Sequence, residues 1–177
     1  MSDFATSVAV EKYYGKYRGA VINNVDPEGR GRLLVQVPDV LGLNISSWAL
    51  PCAPLAGPQM GAYMVPIIGA GVWIEFEGGN PDYPIWTGCF WGSRAEVPSL
   101  AQAGLPVSPN IVLQTTGQNS IMISDVPGPT GGIVLKSTTG AVISVNDVGI
   151  TISNGKGATI TMTGPTVSVN GTALVVT

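Results

Sequence analysis

Few residues in this sequence could do chemistry, and what is missing around them excludes most of it. The 177 residues contain no histidine. That removes His-based acid–base catalysis, Ser-His-Asp and Cys-His triads, and most zinc and non-haem iron sites. Asp26, Glu28, Arg30 and Arg32 put two carboxylates and two guanidiniums close together, as a catalytic or anion-binding loop might need. The Asp-Pro start and the glycines between them read instead as a solvated hairpin turn. Glu75 and Glu77 are two apart on one strand and share a face. With no histidine or third acid nearby, that face is expected to be exposed or interfacial rather than a metal site or acid pair. Gly78-Gly79 is followed by no Lys-Ser/Thr and opens no helix, so it is not a phosphate loop. Cys52 and Cys89 lie among apolar residues and read as two buried, reduced thiols. No cofactor and no metal are expected.

Hydrophobic residues make up 45% of the chain and charged residues only 11%, well below the roughly 25% of an average soluble protein. Thr, Ser and Asn in the second half supply the polarity instead, which suits packed β structure. The net charge of −3 and pI near 4.7 argue against a nucleic-acid partner, because phosphate binding needs clustered Lys and Arg. The start lacks a basic segment followed by an apolar core, and no run is long and apolar enough for a membrane span, so neither signal peptide nor anchor is expected.

From Tyr17 the pattern is that of strands: YRGAVINNV, the turn at residues 26–31, RLLVQVP, a Pro-limited strand at Trp48, then VWIEFE and PIWTGCFW joined by GGNPDY. Five short strands with turn signals in about 75 residues predict a small barrel of the OB type. Its interior candidates are Val21, Leu34, Val35, Val37, Val72, Ile74, Phe76, Ile85 and Trp86, with Trp73 and Glu75 on the opposite face. Residues 1–16 form an N-terminal arm, 17–92 the barrel, 93–110 a Pro/Ala/Ser linker and 111–177 a second β region.

That second region repeats. IVLQTTGQNSIMISD and IVLKSTTGAVISVND align with Ile111 over Ile133, Thr116 over Thr138, Ile121 over Ile143 and Asp125 over Asp147. Short alternating runs follow, cut by Gly, Asn or Asp. Ile121/Ile123, Ile143/Val145, Ile150/Ile152, Ile160/Met162 and Val167/Val169 each put two apolar groups on one face. Nothing in the tract can bury that face, so other copies of the chain must. These ten residues are the expected core between copies, in a stack of strands on the order of 40 Å long at the usual strand spacing of about 4.8 Å.

YRGAVINNVDPEGRGRLLVQVPDV, WALPCAPLAGPQMG and PIIGAGVWIEFEGGNPDYPIWTGCFW resemble, in order and spacing, the OB-fold of the phage baseplate assembly protein V family, shared with the T4 gp5-like and VgrG spike proteins of contractile tails. The resemblance covers Tyr17 to Gly92. It implies an all-β protein: an N-terminal OB-fold barrel followed by an intertwined homotrimeric β-helix or β-prism. It also implies a structural central spike, or cell-puncturing needle, that is not an enzyme. Such a spike works in the baseplate of a virion or injection particle, assembled in the host cytoplasm. A tail hub protein at the barrel and transient contact with the target envelope follow from the same resemblance; Tyr13, Tyr14 and Trp73 are the expected hub contacts because aromatic residues are enriched at interfaces. The apolar end Ala173, Leu174, Val175, Val176 and Thr177 is expected to carry a separate PAAR-like tip protein.

The lysozyme domain of T4-type spikes has no room in 93–110, which offers Glu96 alone where a glycosidase needs two carboxylates. The terminal His-x-His of some members is missing, so no iron site carries over. One alternative is an OB-fold module for single-stranded nucleic acid, for which Lys12, Lys16, Arg18, Arg30 and Arg32 are the only basic cluster. Another is an enzyme on a trimeric β-helix, such as an acyltransferase or γ-type carbonic anhydrase, and either would require histidine.

Overall fold

A computed structural model describes residues 11–171 and 173–177. It divides into two compact units, one running to Gly92 and the other Ser93–Thr177. Residues 1–10 of the expected N-terminal arm lie outside the described residues. No helix among the described residues is long and apolar enough to cross a membrane.

The first unit is built on β1 (Tyr17–Asn23), β2 (Leu34–Gln36), β3 (Leu50–Pro51), β6 (Gly71–Phe76) and β7 (Pro84–Phe90), hydrogen-bonded in the order β2-β1-β6-β7-β3. All pairings are antiparallel except β3–β7. The sheet then closes on itself. Leu33 and Ala49 exchange both backbone hydrogen bonds, at 3.0 and 2.8 Å, and Ser46 donates its N–H to the Val35 carbonyl at 2.9 Å. A five-stranded closed barrel with one parallel pair is the OB arrangement. A small hairpin, β4 (Ala56–Gly57) with β5 (Met60–Gly61), is set into the β3–β6 connection.

Strand alternation fills the barrel. Val21, Leu33, Val35, Val37, Ala49, Val72, Ile74, Phe76 and Trp86 are its buried core, and the Trp86 indole N–H donates to the Gly31 carbonyl at 3.0 Å. Two expected members are corrected. Leu34 and Ile85 are only half-buried; each has the opposite parity to a buried neighbour, Leu33 at 0% exposure and Trp86. Leu33, Val35 and Val37 share one face by simple alternation, which leaves Leu34 on the other. The thiols are also corrected: Cys52 and Cys89 are free and both exposed.

The second unit is an eight-stranded antiparallel meander: β8 (Ile111–Gln114), β9 (Ser120–Ser124), β10 (Gly132–Lys136), β11 (Val142–Asn146), β12 (Gly149–Ser153), β13 (Thr159–Thr163), β14 (Thr166–Val169) and β15 (Leu174–Val176), each paired with the next. Residues 93–110 fold with it. A short helix, Ser99–Gln102, is tied by Arg94 Nε donating to Gln102 Oε1 at 2.8 Å, and Asn110 Nδ2 donates to the Leu100 carbonyl at 2.7 Å. Asn110 also reaches the Met122 sulfur at 3.5 Å, and Met122 is the buried apolar side chain of this sheet.

The repeat is visible as a turn. Thr115, Ser137 and Asn154 each donate a backbone N–H to the carbonyl four residues on, at 3.0, 2.9 and 3.1 Å. Each side chain also accepts that residue's N–H in return, from Asn119, Ala141 and Ala158. The third copy is disguised in sequence because its first residue is Asn rather than Ser or Thr, and hydroxyl and amide oxygens serve the same local bond.

Candidate functional site

Register turns the isolated apolar pairs into two unbroken rows. Following partners across the meander, one row runs Ile111, Ile123, Ile133, Val145, Ile150, Met162, Val167, Val176. The other runs Leu113, Ile121, Leu135, Ile143, Ile152, Ile160, Val169, Leu174. All ten residues expected to form a trimer core stand in these rows. Ile111 and Leu113 extend them at one end, and Ile133 and Leu135 fill the gap between β9 and β11. Leu174 and Val176, read from sequence as part of a tip, continue them at the other, while Val175 pairs with Ser168 on the opposite face.

This face is open. Ile121, Ile123, Ile133 and Leu135 are exposed by 45, 46, 48 and 41%, although they sit in mid-strand. The opposite face is finished differently. Near β9 it is covered, with Ser120, Met122 and Ser124 all buried; farther along, Ser144, Thr151, Thr161 and Ser168 form a row of hydroxyls, Thr161 and Ser168 sharing a hydrogen bond of 2.5 Å. One face of the sheet therefore suits water and the other does not. Covering an aliphatic side chain is worth about 1.5–3 kcal/mol, so sixteen in register are a strong drive to associate.

On the barrel, Tyr13 packs edge-on against Tyr17 at 6.2 Å and near Phe76 at 6.3 Å, and its backbone N–H donates to the Gly79 carbonyl at 2.9 Å. Tyr14 beside it is exposed. Trp73 stands on the outer wall, half-buried beneath Phe90, with the Arg18 guanidinium 5.3 Å from its ring centre and 5.0 Å from that of Phe90. Of the basic cluster, Lys16 is paired with Glu75 at 2.6 Å, Arg30 with Glu28 at 3.1 Å and Arg32 with Asp26 at 2.6 Å. A cleft of about 660 Å³ under the β4–β5 hairpin, lined by Leu55, Met60, Tyr63, Val65 and Trp86 among others, carries no carboxylate. No group of three or more metal-ligating side chains occurs among the described residues.

The turn at Asp26 is tighter than a solvated hairpin. Its carboxylate accepts the backbone N–H groups of Glu28, Arg30 and Arg32 at 3.0, 2.8 and 3.2 Å, and Arg32 Nε and Nη2 at 3.0 and 2.6 Å. Only 2% of the Asp26 side chain is exposed, and Arg32 lies over Trp48 at 5.4 Å. The Arg32 hydrogen bond, opposed by burial and reinforced by the three backbone donors, holds the Asp26 carboxyl far below the usual carboxylate range. A folded pKa below the unfolded value near 3.9 stabilises the fold above that pH, and the contribution disappears as pH falls below it. Acid titration of the barrel should therefore show a loss of melting temperature beginning near pH 4. Asp26→Asn should melt several degrees lower at neutral pH and flatten that acid limb, as thermal melts by circular dichroism would read.

Comparison with known proteins matches both units. Residues 17–91 match the family described as Type VI secretion system/phage-baseplate injector OB domain. Residues 110–175, which contain nearly all of both apolar rows, match the phage baseplate V C-terminal trimerisation domain. A search of curated proteins finds no match. The closed five-stranded barrel falls within the first match and the sheet with its uncovered apolar face within the second, and the chain belongs to the phage baseplate V family, whose members are structural baseplate components.

Proposed function

We propose that this chain is the central spike of a contractile-tail or injection-system baseplate. Three copies pack their two-row faces around a common axis, and the resulting rod is the needle driven into the target envelope. Its mechanism is mechanical. Sheath contraction supplies the force, and resistance to buckling comes from a continuous apolar axis and from backbone hydrogen bonds along each wall. The barrels join the rod to the tail hub through surfaces that include Tyr13, Tyr14 and Trp73. The outer edge of β15, with Ala173–Thr177, receives a small PAAR-like tip protein, since an unpaired strand edge beside exposed Leu174, Val175 and Val176 is otherwise a sticky surface. Assembly takes place in the host cytoplasm.

The observation that carries this reading is the pair of unbroken rows, eight apolar residues each, on an open face inside a trimerisation-domain match. Light scattering of the purified full chain should give three times the 18.2 kDa of one chain, with a trimer band that survives SDS without heating. A monomer at micromolar concentration overturns the proposal.

A further inference from the structure

The sheet of residues 111–177 carries only four charged side chains, Asp125, Lys136, Asp147 and Lys156, and the fold sorts them by sign. In a meander, successive turns alternate between the two lateral edges. Lys136 closes β10 and Lys156 sits in the β12–β13 turn, both on one edge. Asp125 directly follows β9 and Asp147 directly follows β11, both on the other. All four residues are exposed.

None of the four forms an ion pair among the described residues. Asp125 Oδ2 accepts the Ser108 hydroxyl and Asp147 Oδ2 accepts the Gly128 N–H at 2.8 Å, leaving Oδ1 of each carboxylate without a partner among the described residues. Neither lysine ammonium makes a hydrogen bond or ion pair among them. They cannot reach across their own sheet, because a strand of five residues at about 3.3 Å per residue separates the edges by some 16 Å.

Copies closed around an axis meet through unlike edges, because a cyclic contact is heterologous. The lysine edge of one copy then faces the aspartate edge of the next. Counting from β8, Asp125 lies between the second and third strands and Lys136 on the third; Asp147 lies between the fourth and fifth, and Lys156 between the fifth and sixth. With copies in register, each aspartate thus stands within one strand spacing along the axis, about 4.8 Å, of a lysine on the facing edge, an offset that the lysine stem spans.

We infer that Lys136 pairs with Asp125, and Lys156 with Asp147, of the neighbouring copy, and that these pairs set the parallel orientation and axial register of the three chains. The inference rests on the trimeric reading above. An inverted chain would bring lysine edge against lysine edge, and a slipped chain would separate the partners. Exposed ion pairs add little stability, so their part here is to penalise the wrong assembly while the apolar rows supply the attraction.

The test is zero-length carbodiimide coupling of full-length protein assembled from mixed nitrogen-14 and nitrogen-15 chains, read by peptide mass spectrometry. Amide links Lys136–Asp125 and Lys156–Asp147 joining a light to a heavy peptide are expected. Links absent, confined to one chain or joining Lys136 to Asp147 overturn the pairing. Light scattering on the same sample separates the two failures: a trimer without the links defeats the pairing alone, and a monomer defeats the trimer as well. Lys136→Glu with Lys156→Glu provides an independent readout, because it disturbs no bond within the chain. Its trimer should dissociate at lower temperature than wild type in low salt, with the difference vanishing near 1 M salt, where the screening length is about 3 Å. Equal stability at low salt overturns the inference.

Discussion

Ile150→Asp is expected to leave the protein unable to trimerise, and Thr151→Asp, one position along the same strand, to leave the trimer intact. Ile150 stands in mid-row, opposite Val145 on β11 and Met162 on β13. Around an axis the substitution removes three aliphatic contacts, each worth about 1.5–3 kcal/mol, and puts three carboxylates within the apolar rows, each costing several kcal/mol to bury unpaired. The total exceeds what neighbouring rows can offset at one level of the rod. Thr151 lies on the hydroxyl face between Ser144 and Thr161, where a carboxylate stays in water and the change should be within about 1 kcal/mol. Light scattering of the two variants reads the result. A trimeric Ile150→Asp with a monomeric Thr151→Asp would mean that the buried face is the hydroxyl face.

The alternation behind that prediction was legible from sequence because it needs only a period of two and punctuation by Gly, Asn and Asp. Pairs such as Ile143/Val145 could be placed on a face without knowing their neighbours. What sequence could not supply was register, which joins the pairs into rows and moves Leu174 and Val176 from an end into the line of Val169 and Val167. In the barrel, the period of two that runs through Val35 and Val37 selects Leu33 over Leu34, since adjacent residues cannot share a face. Asp26 was read as solvated because its burial depends on a return contact: Arg32 closes over the carboxylate and is itself held against Trp48. Cys52 and Cys89 had apolar sequence neighbours but are exposed, and apolar company along the chain does not decide whether a side chain is covered.

The two units also solve burial in different ways, which is why only one of them needs other copies of the chain to cover its apolar side chains. The barrel closes on itself, and Leu33, Val35, Val37, Ala49, Val72 and Ile74 all reach 0% exposure within one chain. The meander has no second layer behind its two rows. Among the described residues its one buried apolar side chain is Met122, which Asn110 meets on the opposite face. Stability of the first unit should therefore be independent of concentration, and that of the second coupled to assembly.

Gly149→Ala tests whether the meander must be continuous for the rod to hold. Gly149 opens β12 at φ +151°, and a Cβ there would fall well inside contact distance of the Met162 carbonyl oxygen and 3.1 Å from its carbonyl carbon. Met162 belongs to the row that passes through Ile150, so relief requires β13 to move away from β12 and splits that row at its middle. Gly157, in the following turn at φ +106°, has nothing within 4 Å of the same added atom. Gly157→Ala therefore carries the backbone penalty alone, about 1–3 kcal/mol. Gly149→Ala adds to a comparable strain the loss of β12–β13 pairing and of apolar contacts in three chains at once. In denaturation by heat in SDS, the Gly157 variant should dissociate only slightly below wild type. The Gly149 variant should run as monomer without heating. Equal resistance of the two would mean that the rod tolerates a break between β12 and β13, and that its strength comes from the rows on either side rather than from their continuity.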